Sequence, residues 1–321
     1  MRGIDYVVKR TVFALITIFV AITLNFVLFR ALPGDAVSDL ARVPRATPEL
    51  KAALTKEFGL DKPMAEQYVL YLQQLAHFNL GVSYVNQQPV WNNLRTALGN
   101  TIPMVLLGTI FAMVLGILTG VVSAWRRGTA LDHISTNLAI AFYAVPTQWL
   151  GLVLIIVFAK YLPTYGRTSI SFGSLSTLAH IKDVLVHMLM PSTTLALTLY
   201  GEYTLIVRSA MLETLGEDYV LTARAKGLSG WAVVRQHAFR NAMLPTVTLM
   251  ALSLGYIVAG AILVEAVFSW PGIGRAVYES VFNNDYPMLQ GAFLILTLSV
   301  VLFGEYTLIV RSAMLETLGE D

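Results

Sequence analysis

A chain of 321 residues that is 56% hydrophobic and only 13% charged has the composition of a membrane protein, not of a soluble globular domain. The net charge of +2 comes without any basic–aromatic repeat, so nothing points to nucleic acid. With no cysteine, a disulfide framework, thiol catalysis and thiolate metal sites are all excluded.

Arg2, Lys9 and Arg10 precede an uncharged run at 11–29. Its 19 residues exceed the roughly 7–15 of a signal-peptide core. The run ends in Arg30-Ala-Leu-Pro-Gly-Asp without a small-x-small cleavage site, so it reads as a retained first membrane helix. Further uncharged runs at 101–124, 134–159, 241–264 and 286–304 are long enough to cross roughly 30 Å of hydrocarbon. A sixth, 188–201, continues past Glu202 to Val207 and predicts a helix from about Pro191 to Leu212, with Glu202 facing protein or water. Six spans put both termini on one side. Arg2, Lys9, Arg10, Arg126, Arg127, Arg208, Arg224, Lys226, Arg235 and Arg240 outnumber Lys160, Arg167, Lys182 and Arg275 on the opposite side. The excess of positive charge predicts N-in, C-in.

Segment 31–99 is expected to fold outside the membrane as a small helical subdomain. Thr47-Pro48 reads as an N-cap followed by Pro at the first helical position. Leu50, Ala53, Leu54 and Phe58 form an apolar stripe that stops at Gly59. A second amphipathic helix follows Pro63, with Tyr68, Leu72 and Leu75 on one face. Val90, Leu94 and Leu98 lead into the second membrane helix. Within that helix Gly108, Gly116 and Gly120 stand out, and Gly116-x-x-x-Gly120 allows another helix to approach closely. Pro146 lies inside the third run and predicts a kink. His180 and His187 fall in an outer loop, and two histidines without further ligands make no metal site.

Residues 218–245 are too polar for lipid and too regular for a linker. Ala223, Arg224, Ala225 and Lys226 favour a helix, Gly227 punctuates it, and a second helical pattern runs from Trp231 to Ala242. The expected shape is helix, break, helix, carrying Arg224, Lys226, Arg235, Arg240 and His237. After the fifth run, VEAVFSWPGIG at 264–274 and NDYPMLQG at 284–291 predict a compact turn instead of a helix. Glu202 and Glu265 are the acids nearest the membrane interior. Arg208 is the expected partner of Glu202. Glu265 reads equally as a pathway residue and as an acceptor for the amides of the turn that follows. No phosphate-binding loop and no set of nucleophile, base and oxyanion donors is present, so the chain reads as neither an enzyme nor a holder of cofactor or metal.

TARAKG at 222–227 with HAFRNAMLP at 237–245 resembles the cytoplasmic coupling loop of ATP-binding-cassette importer permeases. The similarity is to the B-type subunit of the dipeptide/oligopeptide/nickel branch. FGLDKPMAEQY, LGVSY, AVPTQWLG, VEAVFSWPGIG and NDYPMLQG extend it over residues 1–303. Leu221 and Thr222 depart from the wider family, which has Glu and Ala there.

The resemblance implies an all-α integral membrane protein: a type I importer permease bundle of six transmembrane helices with an extracytoplasmic helical subdomain. Its expected division is 1–30 (inner N-terminus and first span), 31–99 (outer subdomain) and 100–303 (permease core), with the coupling loop at 213–240. It implies import of di- or oligopeptides, in a branch that also carries nickel chelates, glutathione and haem. It implies a prokaryotic plasma-membrane location and a homologous permease as partner. One or two ATPases carrying ATP and Mg, and an outer substrate-binding protein, complete the expected complex. Thr222, Ala223, Arg224, Ala225, Lys226, Gly227 and Leu228 are the implied ATPase-coupling residues. Pro146, Trp149, Glu265, Phe268, Trp270, Pro271 and Gly272 are the implied pathway or gate residues. An ion-coupled carrier or channel working through Glu202 and Glu265, or a scaffold that moves nothing, are the competing readings.

Residues 304–321 repeat 201–218 without a difference. The family's chains end differently, so the second copy reads as an artefact, with a recent duplication as the alternative.

Overall fold

The computed structural model describes residues 3–31, 61–169, 177–243, 245–247, 249 and 261–318. The helix expected at Thr47 and most of the span expected at 241–264 lie outside the described residues. The regular structure among the described residues is helical, with one isolated bridge between Val82 and Pro89. In chain order the helices are α1 (Gly3–Ala31), α2 (Met64–Ala76), α3 (Val90–Trp125), α4 (Ala130–Ala144), α5 (Thr147–Phe158) and α6 (Thr177–Thr214). There follow α7 (Asp218–Ala225), α8 (Gly230–Val233), α9 (Ile262–Val267), α10 (Ile273–Phe282) and α11 (Tyr286–Leu318). Among the described residues, four stretches are long and apolar enough to cross a membrane: Val7–Arg30, Val90–Trp125, Thr177–Thr214 and Tyr286–Glu305. α4 and α5 meet these criteria together but are bent by 104°. The bend falls at Val145-Pro146, where both residues are extended and Pro146 opens α5. The expected kink is therefore a break between two helices.

The chain forms two compact units. In the first (Met1–Thr101 with Pro271–Leu302), the face of α2 predicted from its spacing packs on α1. Phe26 meets Tyr68 edge-on at 5.1 Å and Tyr71 at 5.4 Å, and Thr23 Oγ1 and the Tyr68 hydroxyl share a hydrogen bond of 2.6 Å. Val90 and Leu94 are fully buried. A Cβ on Gly291 would meet Val90 Cγ1 at 2.7 Å, so α11 closes on the start of α3.

In the second unit (Ile102–Trp270 with Phe303–Asp321), a seam of small residues joins α3 to α6. A Cβ on Gly108 would stand 2.8 Å from Ser192 O, and one on Gly120 would stand 2.8 Å from Thr204 O. At Gly116 it would overlap Tyr203 Cβ. Thr119 and Thr204 hydroxyls bond across the seam at 3.0 Å, and Ser192 Oγ donates to Met104 O at 2.9 Å. Gly201 on α6 presses in the same way on Ala139 and Tyr143 of α4. Backbones this close gain dispersion contacts that larger side chains would prevent.

Two expectations need correction. The helix expected to begin near Pro191 begins at Thr177 and carries Pro191 in its interior. His180 and His187 therefore lie on α6 and not in a loop; His187 is buried and its Nδ1 is 2.8 Å from Asp183 O. Packing along the α3 seam outweighs the lost proline amide, as it does in membrane helices generally. The stretch at 264–274 is also not one compact turn. α9 and α10 flank a tight link at 268–272.

The second copy of the repeat continues α11 to Leu318, just as the first continues α6 to Thr214.

Candidate functional site

Three places gather the chemistry that lipid-facing helices lack. The first is the loop after α6. α7 runs from Asp218 to Ala225, and its inner face is fixed by burial: Val220 and Ala223 pack with Val233 of α8 and with Leu215. The helix ends in a Schellman motif. Gly227 N donates to Arg224 O at 2.9 Å and Leu228 N to Ala223 O at 3.4 Å. Gly227 has φ +83°, and nothing stands within 4 Å of where its Cβ would be. The glycine that punctuates the helix in sequence is therefore its cap in the structure. Ser229 then caps α8 by accepting from Ala232 N, and a π-turn at Val234–Ala238 follows. That turn buries Val234 and Ala238, with Ala242, against Val121, Ala124, Val207 and Met211.

The outward side of this loop is open. Of the seven residues singled out, Ala223 is buried at 4%, while Thr222, Arg224, Ala225, Lys226, Gly227 and Leu228 are exposed. Tyr219, Leu221 (53%) and Trp231 (48%) are exposed beside them, and sequence reasoning did not single them out for this face. Trp231 packs on Trp125 with ring centroids 5.3 Å apart and planes tilted by 52°, and Arg126 lies over the Trp125 ring at 5.3 Å. The result is an apolar patch with a basic rim, held rigid from behind.

The second place is an ion pair at the start of α4. Asp132 is buried and accepts from Arg208 Nε at 2.7 Å and Nη2 at 2.9 Å. Ser123 Oγ donates to it at 2.5 Å, Gly128 N at 2.9 Å and Thr136 Oγ1 at 3.2 Å. The carboxylate thus joins the α3–α4 turn to α6, five donors satisfying one buried charge. This corrects the expectation for Glu202. Six residues are one and two-thirds helical turns, so Glu202 and Arg208 point about 120° apart. The Thr129-x-x-Asp132 spacing of a capping box was the available signal for Asp132; Thr129 Oγ1 accepts from Asp132 N at 3.4 Å.

The third place is the link after α9. α9 too ends in a Schellman motif: Ser269 N donates to Ala266 O at 3.3 Å and Trp270 N to Glu265 O at 2.9 Å. Here the left-handed residue is Ser269, at φ +49°, a strained choice for a residue with a Cβ. The motif turns Phe268 and Trp270 into the core, where both are buried with Glu265. Gly151 of α5 packs on Phe268 and Val267. Pro146 and Trp149 are exposed, Trp149 at 65%. In the other unit Pro271 O accepts from Asn100 Nδ2 at 2.8 Å, and Gly272 opens α10, whose Ile273 N donates to Thr101 Oγ1 at 2.9 Å. Glu265, Phe268 and Trp270 thus belong to one unit, and Pro271 and Gly272 to the other.

Residues 112–315 match the family described as binding-protein-dependent transport system inner membrane component, and residues 3–105 match that system's N-terminal membrane component. The chain is 36% identical over 315 residues to the di/tripeptide transport system permease protein DppB of Pseudomonas aeruginosa, covering 93% of this chain and 94% of that one. It is 37% identical over 304 residues to the dipeptide transport system permease protein DppB of Escherichia coli K12, covering 88% and 90%. It is 32% identical over 302 residues to the glutathione transport system permease protein GsiC of the same strain, covering 93% and 94%. Among solved structures, the inward-facing MetNI methionine ABC transporter superposes with a TM-score of 0.55 at 17% identity, covering 69% of this chain and 95% of that one. That likeness is one of fold.

Proposed function

The chain belongs to the family of binding-protein-dependent transport system inner membrane components, and from that premise we propose how it works as the permease subunit of a peptide importer. It is a multi-pass membrane protein of the ABC permease fold. Two such permeases, this chain and a homologue, line the pathway between them. Its N-terminus faces the cytoplasm, 31–99 forms an outer subdomain and 100–303 the permease core. The substrates are di- or oligopeptides. The chain hydrolyses nothing; ATP and Mg are held by one or two ATPase subunits on the inner face, and a binding protein delivers peptide from outside.

The observation that carries this reading is the α7–Gly227–α8 element, whose inner face is buried and whose outer face is apolar, basic-rimmed and uncovered. Thr222 to Leu228 form the coupling surface, joined by Leu221 and Trp231. The face is anchored to α3 and α6 by the packing of Val234 and Ala238, so a push on it is passed to the spanning helices. ATP binds the two states of the complex with different affinity, and that difference drives the change. Pro146, Trp149, Glu265, Phe268, Trp270, Pro271 and Gly272 border the pathway, with the packed Phe268 and Trp270 as its closed position.

The test is uptake of a labelled dipeptide by the complete complex in proteoliposomes. Uptake is expected to require internal-face ATP and the loaded binding protein, and to survive collapse of the proton gradient. Uptake that continues without ATP and stops with the gradient would contradict the proposal.

A further inference from the structure

The first unit holds a polar cleft that no part of the reading so far uses. It is about 480 Å³, within the range of about 300–1,000 Å³ of small-molecule sites. Its wall includes Asn86 and Asn93, whose amides bond each other at 3.1 and 3.2 Å, and Asn100 and Asn283, whose Nδ2 groups donate to Pro271 O and Glu279 O. Two of its charges stand on α10: Arg275 Nε donates to Glu279 Oε1 at 2.6 Å, and the side chains are 33% and 51% exposed. Asp285, a third charged residue of the wall, is already satisfied, accepting from Ser83 Oγ at 2.5 Å, Tyr84 N at 3.1 Å and Met288 N at 3.3 Å.

The order of the α10 pair works against the helix. α10 runs from Ile273 to Phe282, so the cation lies in its first turn and the anion opens its last. Both charges oppose the helix dipole, which favours anions at the N-terminus and cations at the C-terminus. Arg before Glu is also the weaker order of an i,i+4 pair. Exchanging the two residues would satisfy both preferences, yet the chain has the reverse. Sequences that break local rules in this way tend to do so at functional positions. A half-exposed ion pair of this kind is held only weakly against water.

We propose that this cleft receives the incoming short peptide and reads its two ends, Glu279 taking the α-ammonium and Arg275 the α-carboxylate. Each half of the ion pair meets the matching charge of a zwitterion. This rests on the peptide-importer reading above and names where and how the permease itself selects free termini.

The experiment measures uptake by the reconstituted complex of a free dipeptide, its N-acetyl form and its C-amide, each at a concentration that saturates the binding protein. Uptake is normalised to assembled complex. The wild type is expected to favour the free peptide. Glu279→Gln should lose about tenfold of the preference over the N-acetyl form while keeping that over the amide, and Arg275→Gln the reverse. The double exchange Arg275→Glu with Glu279→Arg is decisive, because it makes α10 a better helix. It is expected to cut free-dipeptide uptake at least about tenfold. Wild-type uptake in the double exchange, equal slowing of all three peptides in the single variants, or unchanged preferences would each overturn the proposal while leaving the importer reading in place. A wild-type complex that moves no peptide would remove the importer reading, and this inference with it.

Discussion

Asp132 is the residue on which most local structure converges. Five donors from the end of α3, the turn after it, α4 and α6 meet one carboxylate. A buried ion pair of this kind adds little net stability over an apolar replacement, but removal of one partner strands the other. Asp132→Ala should therefore lower stability by roughly 3–5 kcal/mol, seen as a fall in the thermal midpoint of the detergent-solubilised protein. Arg208→Lys should recover only part of the stability lost in Arg208→Ala, since an ammonium cannot span both carboxylate oxygens. Equal midpoints for wild type and Asp132→Ala would mean that the pair does not hold this end of the unit. At this scale sequence was a poor guide. It offered Arg208 as a partner for Glu202, six residues away, because contacts along one helix are all that spacing exposes. The true partner is 76 residues away.

Among the elements, the seam between α3 and α6 and the loop α7–α8 test different physics. At Gly116 an added side chain overlaps Tyr203, whereas Gly128, at φ +80°, has nothing within 4 Å. Gly116→Leu should cost more than the 1–3 kcal/mol typical of overpacking, because backbone stands in the way. Gly128→Ala should cost only about 1 kcal/mol of left-handed strain. Thermal unfolding of the two variants should rank them in that order, and the opposite ranking would deny the close approach. Leu221 points away from the packed face of α7, so Leu221→Asp should leave the thermal midpoint within the scatter of surface changes, about 0.5 kcal/mol. Co-purification of the ATPase subunits with the same variant should fall. Undiminished co-purification would remove Leu221 from the coupling surface.

These elements also separate what sequence revealed from what it hid. Gly116-x-x-x-Gly120, the break at Pro146 and the helix–break–helix of 218–242 follow from local rules of size, amide loss and capping, and each was legible. The start of α6 at Thr177 was not. Pro191 signals a helix start locally, and only burial of Met188, Met190 and Ser192 overrides it. The Schellman end of α9 was hidden for a related reason. Its left-handed position is filled by Ser269 and not by glycine, so Phe268-Ser-Trp-Pro-Gly carried no signal for where the helix stops.

For the whole molecule, composition and the lengths of the uncharged runs were enough to read a multi-pass helical protein. The motifs at 222–227 and 264–274 were enough to read an importer permease, and the family match bears both out. The polar cleft beside α10 was not legible, since it is assembled from 83–100 and 271–288, far apart in the chain. The grouping into two compact units is equally invisible along the chain, because the first joins residues from both ends.

We propose above all that the α7–Gly227–α8 element connects the permease to its motor. Its most direct test is ATP hydrolysis by the complete complex in lipid, with and without peptide-loaded binding protein, for the wild type and Gly227→Leu. At φ +83° the Cβ of leucine meets nothing within 4 Å but the residue is strained by about 1–2 kcal/mol, which should unmake the cap and turn Leu228 and Arg224 from their places. Loaded binding protein should stimulate the wild-type complex and fail to stimulate the variant, although both assemble. Equal stimulation of the two would contradict the claim and place the coupling surface elsewhere on the chain.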